Sequence, residues 1–436
     1  MRRRWSIGVG LIVALSAGIP TGAARPVTVG YATPSDLAGL RVISTIPPLH
    51  IAVVDRGSLV GHPHVRLTVL GVPVGRVRMS DPALTTSPSG VAPEWAYHAT
   101  RSDLVPPAVL RAAAGVTLAV VDTGVDLSAP DIAAKSPVTH SVVSETTLPD
   151  TTGHGTFVAS IAGGSVTNNE GIAGFGGDVK LMILQSNRGA NAFTDIDEAA
   201  AIVWAVDQGA KVVNLSLGGS ETSQAERDAV AYAADHGVIL VAAAGNTGAA
   251  GNAPVYPAAL LGPTGLAVGA SNTAGARASF STAASYVSVL APGVRLLGDI
   301  PGTAPTTQFP RATIAGSLAG TYAYGTGTSY ATPVISGIAA LVWGANPALT
   351  AQQVVQVIES TASGGGIWSQ ASGFGVVDAA AAVAKALGQT PPVYAVSPAV
   401  TPKNQAAVKA TVNLRNWSST PAKRVSLTAR RNSASY

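Results

Sequence analysis

The sequence predicts an α/β fold, a doubly wound and mostly parallel sheet with helices on both faces. Short continuous apolar runs recur along the middle of the chain, as is typical of strands buried on both faces. Segments with helical apolar spacing lie between these runs, and this alternation favours parallel strands joined by helices. Of the 436 residues, 47% are hydrophobic and only 11% are charged, so a large core can form. In such folds, ligands bind at the carboxyl ends of the strands.

Each element follows from a local pattern. The predicted strands are the apolar runs at residues 116–121, 179–184, 211–215, 238–243, 266–270 and 286–290. The predicted helices lie at residues 157–162, 195–208, 223–236, 350–360 and 378–387. Another helix is expected to start at or near Ser329 and to hold Pro333 in its first turn, where a missing N–H is harmless. Residues 298–324 have no clear period and many Gly, Pro and Thr, so a long loop is expected there.

Charge and cysteine content exclude several classes of function. The net charge of +4 is small and the basic residues are not clustered, which argues against a nucleic-acid partner. The chain contains no cysteine. Disulfides, thiolate metal sites and a cysteine nucleophile are therefore excluded.

The N-terminus predicts export. Residues 1–24 combine a basic start, an apolar run and the small residues Gly22-Ala23-Ala24, which is the pattern of a cleaved signal peptide. A membrane anchor is the alternative, but the apolar run is shorter than the roughly 20 residues that a spanning helix needs. No second long apolar segment follows, so we expect a secreted protein whose mature chain has no membrane span.

The remaining boundaries come from shifts in composition. Residues 25–82 contain strand-like pieces and are predicted to form a small α+β leader domain, with an ordinary N-terminal extension as the alternative. Residues 83–103 are predicted to be a linker, since the stretch begins rich in Pro, Ser and Thr. The α/β domain is expected at residues 104–389. Residues 390–436 are predicted to be a Pro-rich linker and an incomplete β-rich module.

Four polar residues stand at strand ends or helix starts. Asp122 follows the first predicted strand, His154 precedes a helix in Gly-His-Gly-Thr, Asn246 closes a later strand, and Ser329 follows Gly-Thr-Gly-Thr. Taken alone, each has a structural interpretation: a cap aspartate, a turn histidine, a left-handed turn asparagine and an N-cap serine. At a helix N-terminus, however, free backbone N–H groups at Ser329 could stabilise a developing anion.

The chemistry of a serine nucleophile needs all of these groups. A base must take the hydroxyl proton, a carboxylate must orient that base, and donors must meet the oxygen that becomes negative. The order Asp122, His154, Ser329 is one of three known orders for such a triad. An esterase or lipase of the α/β-hydrolase class would show Gly-x-Ser-x-Gly with the serine first, which this chain lacks. A non-catalytic binding protein with a defunct site is the other alternative.

Five motifs carry a resemblance to a known family. They are VVDTGVDLSAPDI (120–132), GHGTFVASIAG (153–163), VNLSLGG (213–219), AAAGN (242–246) and GTSYATP (327–333). In this order they resemble the subtilisin-like serine proteases, the subtilases. The resemblance implies a serine endopeptidase with Asp122, His154 and Ser329 as the catalytic triad. It also implies an oxyanion hole formed by Asn246 and the Ser329 backbone N–H.

The same resemblance implies the substrate contacts and partners. Two segments would wall a pocket that favours an apolar side chain, and their residues are Ser216, Leu217 and Gly218 on one side, with Ala243 and Gly245 on the other. The partners would be protein or peptide substrates, and the leader would act as an intramolecular inhibitor until it is removed. No cofactor is needed for the chemistry, but a structural calcium ion held by Asp131 and Asn168 is implied.

Three departures from the family pattern stand out. Tyr330 follows the nucleophile where many subtilisins have methionine, and its ring could narrow the leaving-group side. Val334 stands where many relatives carry histidine. The 298–324 segment is longer than in compact subtilisins, so the resemblance does not determine the conformation of the pocket rim.

Overall fold

The chain consists of two units in a computed structural model, Met1–Arg76 and Val77–Tyr436. The structure describes residues 26–30, 38–46, 51–55, 66–67, 81–84, 94–144, 149–188, 193–389, 394–403, 407–415 and 424–430. The predicted signal peptide and the start of the Pro-rich linker at 390–393 lie outside these residues. Within the described part of the chain, none of the helices combines the length and apolar character needed to cross a bilayer.

The first unit contains a four-stranded antiparallel sheet in the order β2-β3-β1-β4. Its strands are β1 (Pro26–Gly30), β2 (Val42–Ile46), β3 (Ile51–Asp55) and β4 (Arg66–Leu67). All four strands lie within residues 25–82, where the sequence predicted strand-like pieces.

A seven-stranded sheet with only parallel pairs organises the second unit. Its strands are β5 (Thr117–Asp122), β6 (Val138–Ser141), β7 (Lys180–Gln185), β8 (Val212–Leu215), β9 (Ile239–Ala243), β10 (Gly265–Ser271) and β11 (Val289–Pro292). Their order is β11-β10-β9-β8-β5-β7-β6. The predicted doubly wound α/β class is confirmed, and β6 is a strand that the sequence did not predict.

Helices cover both faces of this sheet. They are α1 (Trp95–Ala99), α2 (Pro107–Ala112), α3 (Pro130–Ala133), α4 (His154–Gly163), α5 (Asp195–Asp207), α6 (Gln224–Asp235), α7 (Thr328–Ala345), α8 (Ala351–Thr361) and α9 (Ala379–Ala386). Successive strand residues point to opposite faces. Leu118 and Val120 therefore pack with α4 and α7, whereas Ala119 and Val121 pack with α5 and α6.

The central helix α7 begins at Thr328, as predicted, but Pro333 is its sixth residue rather than part of its first turn. A proline at this position leaves the carbonyl of the residue four places earlier, Ser329, without its helical hydrogen bond. The hydroxyl of Ser216 donates to that carbonyl oxygen at 2.7 Å. The expectation for Pro333 was wrong because the hydroxyl of Ser216, the residue that follows β8, replaces the N–H that a proline lacks.

The predicted long loop at 298–324 is also corrected. It contains most of a three-stranded antiparallel sheet formed by β12 (Leu296–Asp299), β13 (Arg311–Ala312) and β14 (Tyr322–Gly325), in the order β12-β14-β13. These strands have two to four residues, so they are too short to produce a visible alternation. The buried ring of Tyr322 anchors this sheet in a small core with Ile172 and Leu297.

Two peripheral segments complete the second unit. Within the predicted linker, α1 buries Tyr97, and Arg101 forms a buried ion pair with Asp378, the N-cap of α9. At the C-terminus, three strands pair antiparallel: β15 (Tyr394–Lys403), β16 (Ala407–Arg415) and β17 (Arg424–Arg430).

Candidate active site

A buried carboxylate and an imidazole form the centre of the site. Asp122 is the last residue of β5, at the carboxyl end of the sheet, and it is fully buried. Its Oδ1 lies 2.7 Å from Nδ1 of His154, the first residue of α4, and also accepts the Thr123 N–H at 2.8 Å. A proton on Nδ1 would leave Nε2 as a free base. This is the arrangement that a triad requires of its first two members.

The electrostatic surroundings favour the protonated form of His154. Burial alone would lower the pKa of the imidazole, but the charge and hydrogen bond of Asp122 and the charge of Asp150 outweigh it. The pKa of His154 is therefore raised above its ordinary value of 6.5. A base with a raised pKa binds the nucleophile's proton more strongly in the transition state.

Asp150 is a site residue that the sequence analysis missed. It is 2% exposed, and its Oδ1 accepts the Gly153 N–H at 2.9 Å and the Thr123 hydroxyl at 3.0 Å. Its Oδ2 accepts the Thr156 N–H at 2.9 Å and the Thr156 hydroxyl at 2.7 Å. The carboxylate thus ties the turn before His154 to both the first turn of α4 and the end of β5. Its position four residues before the histidine was the available signal.

Removing the charge of Asp150 should shift the pH profile. In an Asp150→Asn variant, we expect the pKa of His154 to fall because a nearby negative charge is lost. Since the base must be unprotonated, the rise of kcat/KM with pH should then move to lower pH. We also expect a loss of about 1–3 kcal/mol in stability from unsatisfied donors. The control is Asp126→Asn, in which the pH profile of kcat/KM should stay in place. An unchanged profile in Asp150→Asn would contradict the effect of the Asp150 charge on His154.

The candidate nucleophile lies where the sequence placed it. Ser329 is the second residue of α7, and with Ala345 it is one of two α7 residues that are not buried. It lines the same cleft as His154. The helix N-terminus directs free backbone N–H groups toward this position. The structure therefore brings Asp122, His154 and Ser329 to one edge of the sheet.

The orientation of Asn246 is fixed by its neighbour on α7. Its Oδ1 accepts the Thr328 N–H at 3.0 Å and the Thr328 hydroxyl at 3.1 Å. Because the carbonyl end of the amide is held this way, the Nδ2 group is free to donate into the cleft, which Asn246 lines. This geometry suits a donor to an oxyanion.

Loss of this donor should affect turnover rather than binding. In Asn246→Ala, we expect kcat to fall by about 10²–10³-fold with KM within about threefold, a scale found for a subtilisin. The donor meets the oxygen only after it becomes negative, so ground-state binding is unaffected. Steady-state kinetics on one peptide substrate would measure this. An equal rise in KM with unchanged kcat would contradict the role.

All five residues predicted to wall the pocket line a cleft of about 530 Å³ that also contains His154, Asn246 and Ser329. They are Ser216, Leu217, Gly218, Ala243 and Gly245. The hydroxyl of Ser216, however, is used internally, since it donates to the Ser329 carbonyl and accepts from Asn214 Nδ2 at 2.9 Å. Among the described residues that line the cleft there is no Asp, Glu, Lys or Arg. Contact with substrate stays a prediction for all five.

Tyr330 contributes an aromatic wall beside the imidazole. Its ring centroid lies 5.5 Å from that of His154 and 4.7 Å from that of Phe157, and the residue is 6% exposed. Phe309, from the loop between β12 and β13, packs on the rings of Phe157 and Tyr330. The extra length of this segment therefore builds part of the surroundings of His154.

The residues implied for calcium lie in a buried acidic region. Asn168 Nδ2 donates to Asp131 Oδ1 at 2.7 Å. Across the described ranges, no three His, Asp or Glu side chains are gathered to hold a metal ion. Even so, both carboxylate oxygens of Asp81 and one of Asp299 are buried and have no hydrogen-bond partner among the described residues. Burial and the charge of Asp131 raise the pKa of Asp81 to about 8. Oxygen donors with excess negative charge fit a hard cation such as Ca²⁺.

The carboxyl edge of the parallel sheet thus holds an oriented carboxylate–imidazole pair, a serine at a helix N-terminus and an amide with its carbonyl end held in place. These are the groups that a serine-hydrolase site requires. The model of the subtilase family matches residues 113–375, more than half of the sequence. The chain therefore belongs to the subtilase family.

Individual relatives agree with this family. The chain is 36% identical over 253 residues to subtilisin amylosacchariticus of Bacillus subtilis subsp. amylosacchariticus, covering 57% of this chain and 60% of that relative. It is 37% identical over 251 residues to thermitase of Thermoactinomyces vulgaris, covering 57% and 81%. A protease structure from Pseudoalteromonas arctica matches with a TM-score of 0.57 and 26% identity, covering 69% of this chain and 99% of the other. The match thus spans three fifths of the first relative's length.

Proposed function

We propose that this chain is a secreted serine endopeptidase that hydrolyses peptide bonds through an acyl-enzyme on Ser329. The observation that carries the proposal is the 2.7 Å contact between Asp122 and His154 beside a cleft that also contains Asn246 and Ser329. Its substrates would be proteins or peptides. Each group in the cleft has the chemical character that one step of the reaction requires.

The proposed reaction has two halves. Ser329 Oγ attacks the substrate carbonyl carbon while His154 Nε2 takes the hydroxyl proton, and Asp122 stabilises the resulting imidazolium. The oxyanion accepts from Asn246 Nδ2 and the Ser329 backbone N–H. The proton passes to the leaving amine as the C–N bond breaks. Water then attacks the acyl-enzyme with His154 as base, which releases the acid and restores Ser329.

The cleft composition supports a broad specificity that leans toward apolar side chains. The walls are formed by Gly, Ala and Leu with their backbone, and Ser216 keeps its hydroxyl turned to α7. A pocket without a fixed charge gains most from burying apolar surface. A large hydrophobic residue before the scissile bond is therefore the proposed preference.

We further propose that the chain is made as a precursor that processes itself. Residues 1–24 would direct export to the outside of the cell, and the leader at 25–82 would inhibit the cleft until removed. Asp81 and Ala83 are buried in the second unit, with the Ala83 N–H donating to Gly171 at 2.9 Å. The cut is therefore proposed to precede Asp81, slightly before the boundary expected from the sequence.

N-terminal sequencing of the exported protein tests this proposal. The wild-type chain should appear outside the cell with a new N-terminus after the leader, and the Ser329→Ala chain should keep its leader. If the Ser329→Ala chain is cut at the same place in a host lacking extracellular proteases, self-processing is wrong. If the protein stays inside the cell, export is wrong.

A structural calcium ion is the remaining part of the proposal. Asp81, Asp131 and Asn168 would hold it, and its charge would offset their buried carboxylates. Adding Ca²⁺ at about 100 times Kd should stabilise the processed protein by about 2.7 kcal/mol, or roughly 3–5 °C in Tm. The shift should vanish in Asp131→Asn and persist in Asp126→Asn. An equal shift in Asp131→Asn would contradict the site.

A further inference from the structure

Two buried glutamates on neighbouring helices form no ion pair with a residue that the structure describes. Glu198 lies in the first turn of α5 and Glu226 in the first turn of α6, and they are 4% and 3% exposed. Oε1 of Glu198 and Oε2 of Glu226 have no hydrogen-bond partner within the described part of the chain. A buried carboxylate without a partner is costly. The cost suggests that something outside the chain completes the pair.

The neighbouring acid in the same turn shows the contrast. Asp197 accepts from Arg188 through two hydrogen bonds of 2.7 Å, and a third comes from the Thr194 hydroxyl at 2.6 Å. These partners lower the pKa of Asp197. Glu198 instead has a raised pKa, first because of burial and then because of the charges of Glu226 and Asp195. One acid of the turn is neutralised by a guanidinium, whereas the next is not.

These acids belong to helices that pack in the same hydrophobic cluster as two residues of the cleft wall. Phe193 and Leu217 line the cleft and pack in the same hydrophobic cluster as Ala199 and Ala229, which lie one and three residues from the two glutamates. The chain runs from Phe193 into α5, and Asp195 at that start is half-buried. The acidic group therefore begins at the surface beside the cleft and continues inward.

Distance along the cleft places this group relative to the scissile bond. Ser216 contacts Ser329, and the wall continues through Ser220, after which the chain leads into α6. Extended backbone rises about 3.3 Å per residue, so Gly218 and Gly219 lie up to about 7 and 10 Å beyond Ser216. A substrate strand paired with this wall would have its third and fourth residues before the scissile bond level with these two glycines.

We propose that Asp195, Glu198 and Glu226 form an acidic subsite that receives the Lys or Arg side chain of a substrate residue three or four positions before the scissile bond. The methylene stem of such a side chain would cross the apolar surface of Phe193 and Leu217 while its charged end reaches the carboxylates. The inference rests on the proposed peptidase function. It adds a basic preference at a distance from an otherwise apolar cleft.

Peptide nitroanilides test the subsite on the processed protein. The series is acetyl-X-Ala-Ala-Phe-p-nitroanilide with X as Arg, Lys, Leu or Asp, with a second series that places X one residue closer to Phe. We expect kcat/KM for Arg and Lys to exceed that for Leu by about 10-fold in one of the series, with Asp the poorest. In the double variant Glu198→Gln and Glu226→Gln, the ratio of kcat/KM for the Arg peptide to kcat/KM for the Leu peptide should fall to about one, while the Leu peptide is still hydrolysed.

The control is Asp228→Asn, which removes the same charge from the exposed side of α6 and should keep the ratio. The subsite would be overturned if, in the wild-type protein, kcat/KM for the Arg peptide is less than twice that for the Leu peptide in both series. This measurement does not depend on the folding of a variant. An unchanged ratio in the double glutamine variant would also overturn the subsite. If none of the peptides is cleaved, the proposed function itself is overturned. This outcome differs from the one that overturns only the subsite.

Discussion

Replacing Ser329 with alanine should lower kcat by about 10⁶-fold, the scale found for the nucleophile of a subtilisin. Without Oγ no acyl-enzyme can form, and only the oxyanion donors and substrate binding remain to accelerate attack by water. Because the triad acts as a unit, adding His154→Ala should cause little further loss. Release of p-nitroaniline from a peptide substrate, followed over hours, would measure the residual rate.

This comparison needs proteins in the same processed state. The Ser329→Ala precursor would first be treated with a trace of tagged wild-type protein, which is then removed, so that a retained leader cannot mimic catalytic loss. The exposed Ser279→Ala variant is the matched control and should keep wild-type activity. Activity of processed Ser329→Ala within 10-fold of wild type would show that another group is the nucleophile.

Replacing Asp122 with asparagine should lower kcat by about 10⁴-fold, the scale found when the triad carboxylate of a serine protease is made an amide. Asparagine is nearly isosteric, so the packing at the end of β5 should be preserved. Its amide cannot offset the charge of the imidazolium and can favour the tautomer with the proton on Nε2. The pKa of His154 should also fall, because Asp122 supplies the largest contribution that raises it.

Two measurements separate this effect from a folding defect. The kcat of Asp122→Asn should be compared with that of Asp126→Asn, which makes the same chemical change four residues further along the chain, after the end of β5. The Tm and the rate of Ser329 labelling should be recorded for both variants. A loss below 10-fold in Asp122→Asn, with its Tm unchanged, would contradict the orienting role of Asp122.

The parts of the fold and site that the sequence predicted share a strong local signal. Strands β5, β7, β8, β9 and β10 are continuous apolar runs because helices cover both of their faces. The cap at Thr350 was predictable because its hydroxyl accepts the Gln353 N–H in a capping box. Asp122, His154 and Ser329 could be proposed from the sequence because each stands at the end of a strand or the start of a helix.

The missed parts depend on contacts that no local pattern records. Strand β6, with the sequence VTHS, is an edge strand that is mostly half-buried, so it has no apolar run. Asp150 looks like any loop aspartate until the fold brings Thr123 and Thr156 to its two oxygens. The partner that allows Pro333 inside α7 is a hydroxyl more than a hundred residues away. Long-range pairing of this kind is decided by tertiary structure.

The most direct measurement of the triad is to react the processed protein with a fluorophosphonate and to map the adduct by mass spectrometry. Attack by the activated hydroxyl displaces fluoride and leaves the phosphonyl group on the nucleophile. The adduct should lie on Ser329, and labelling should slow by at least about 10³-fold in His154→Ala. An adduct on a different serine, or equal labelling of Ser329 in His154→Ala, would contradict a nucleophile activated by that imidazole.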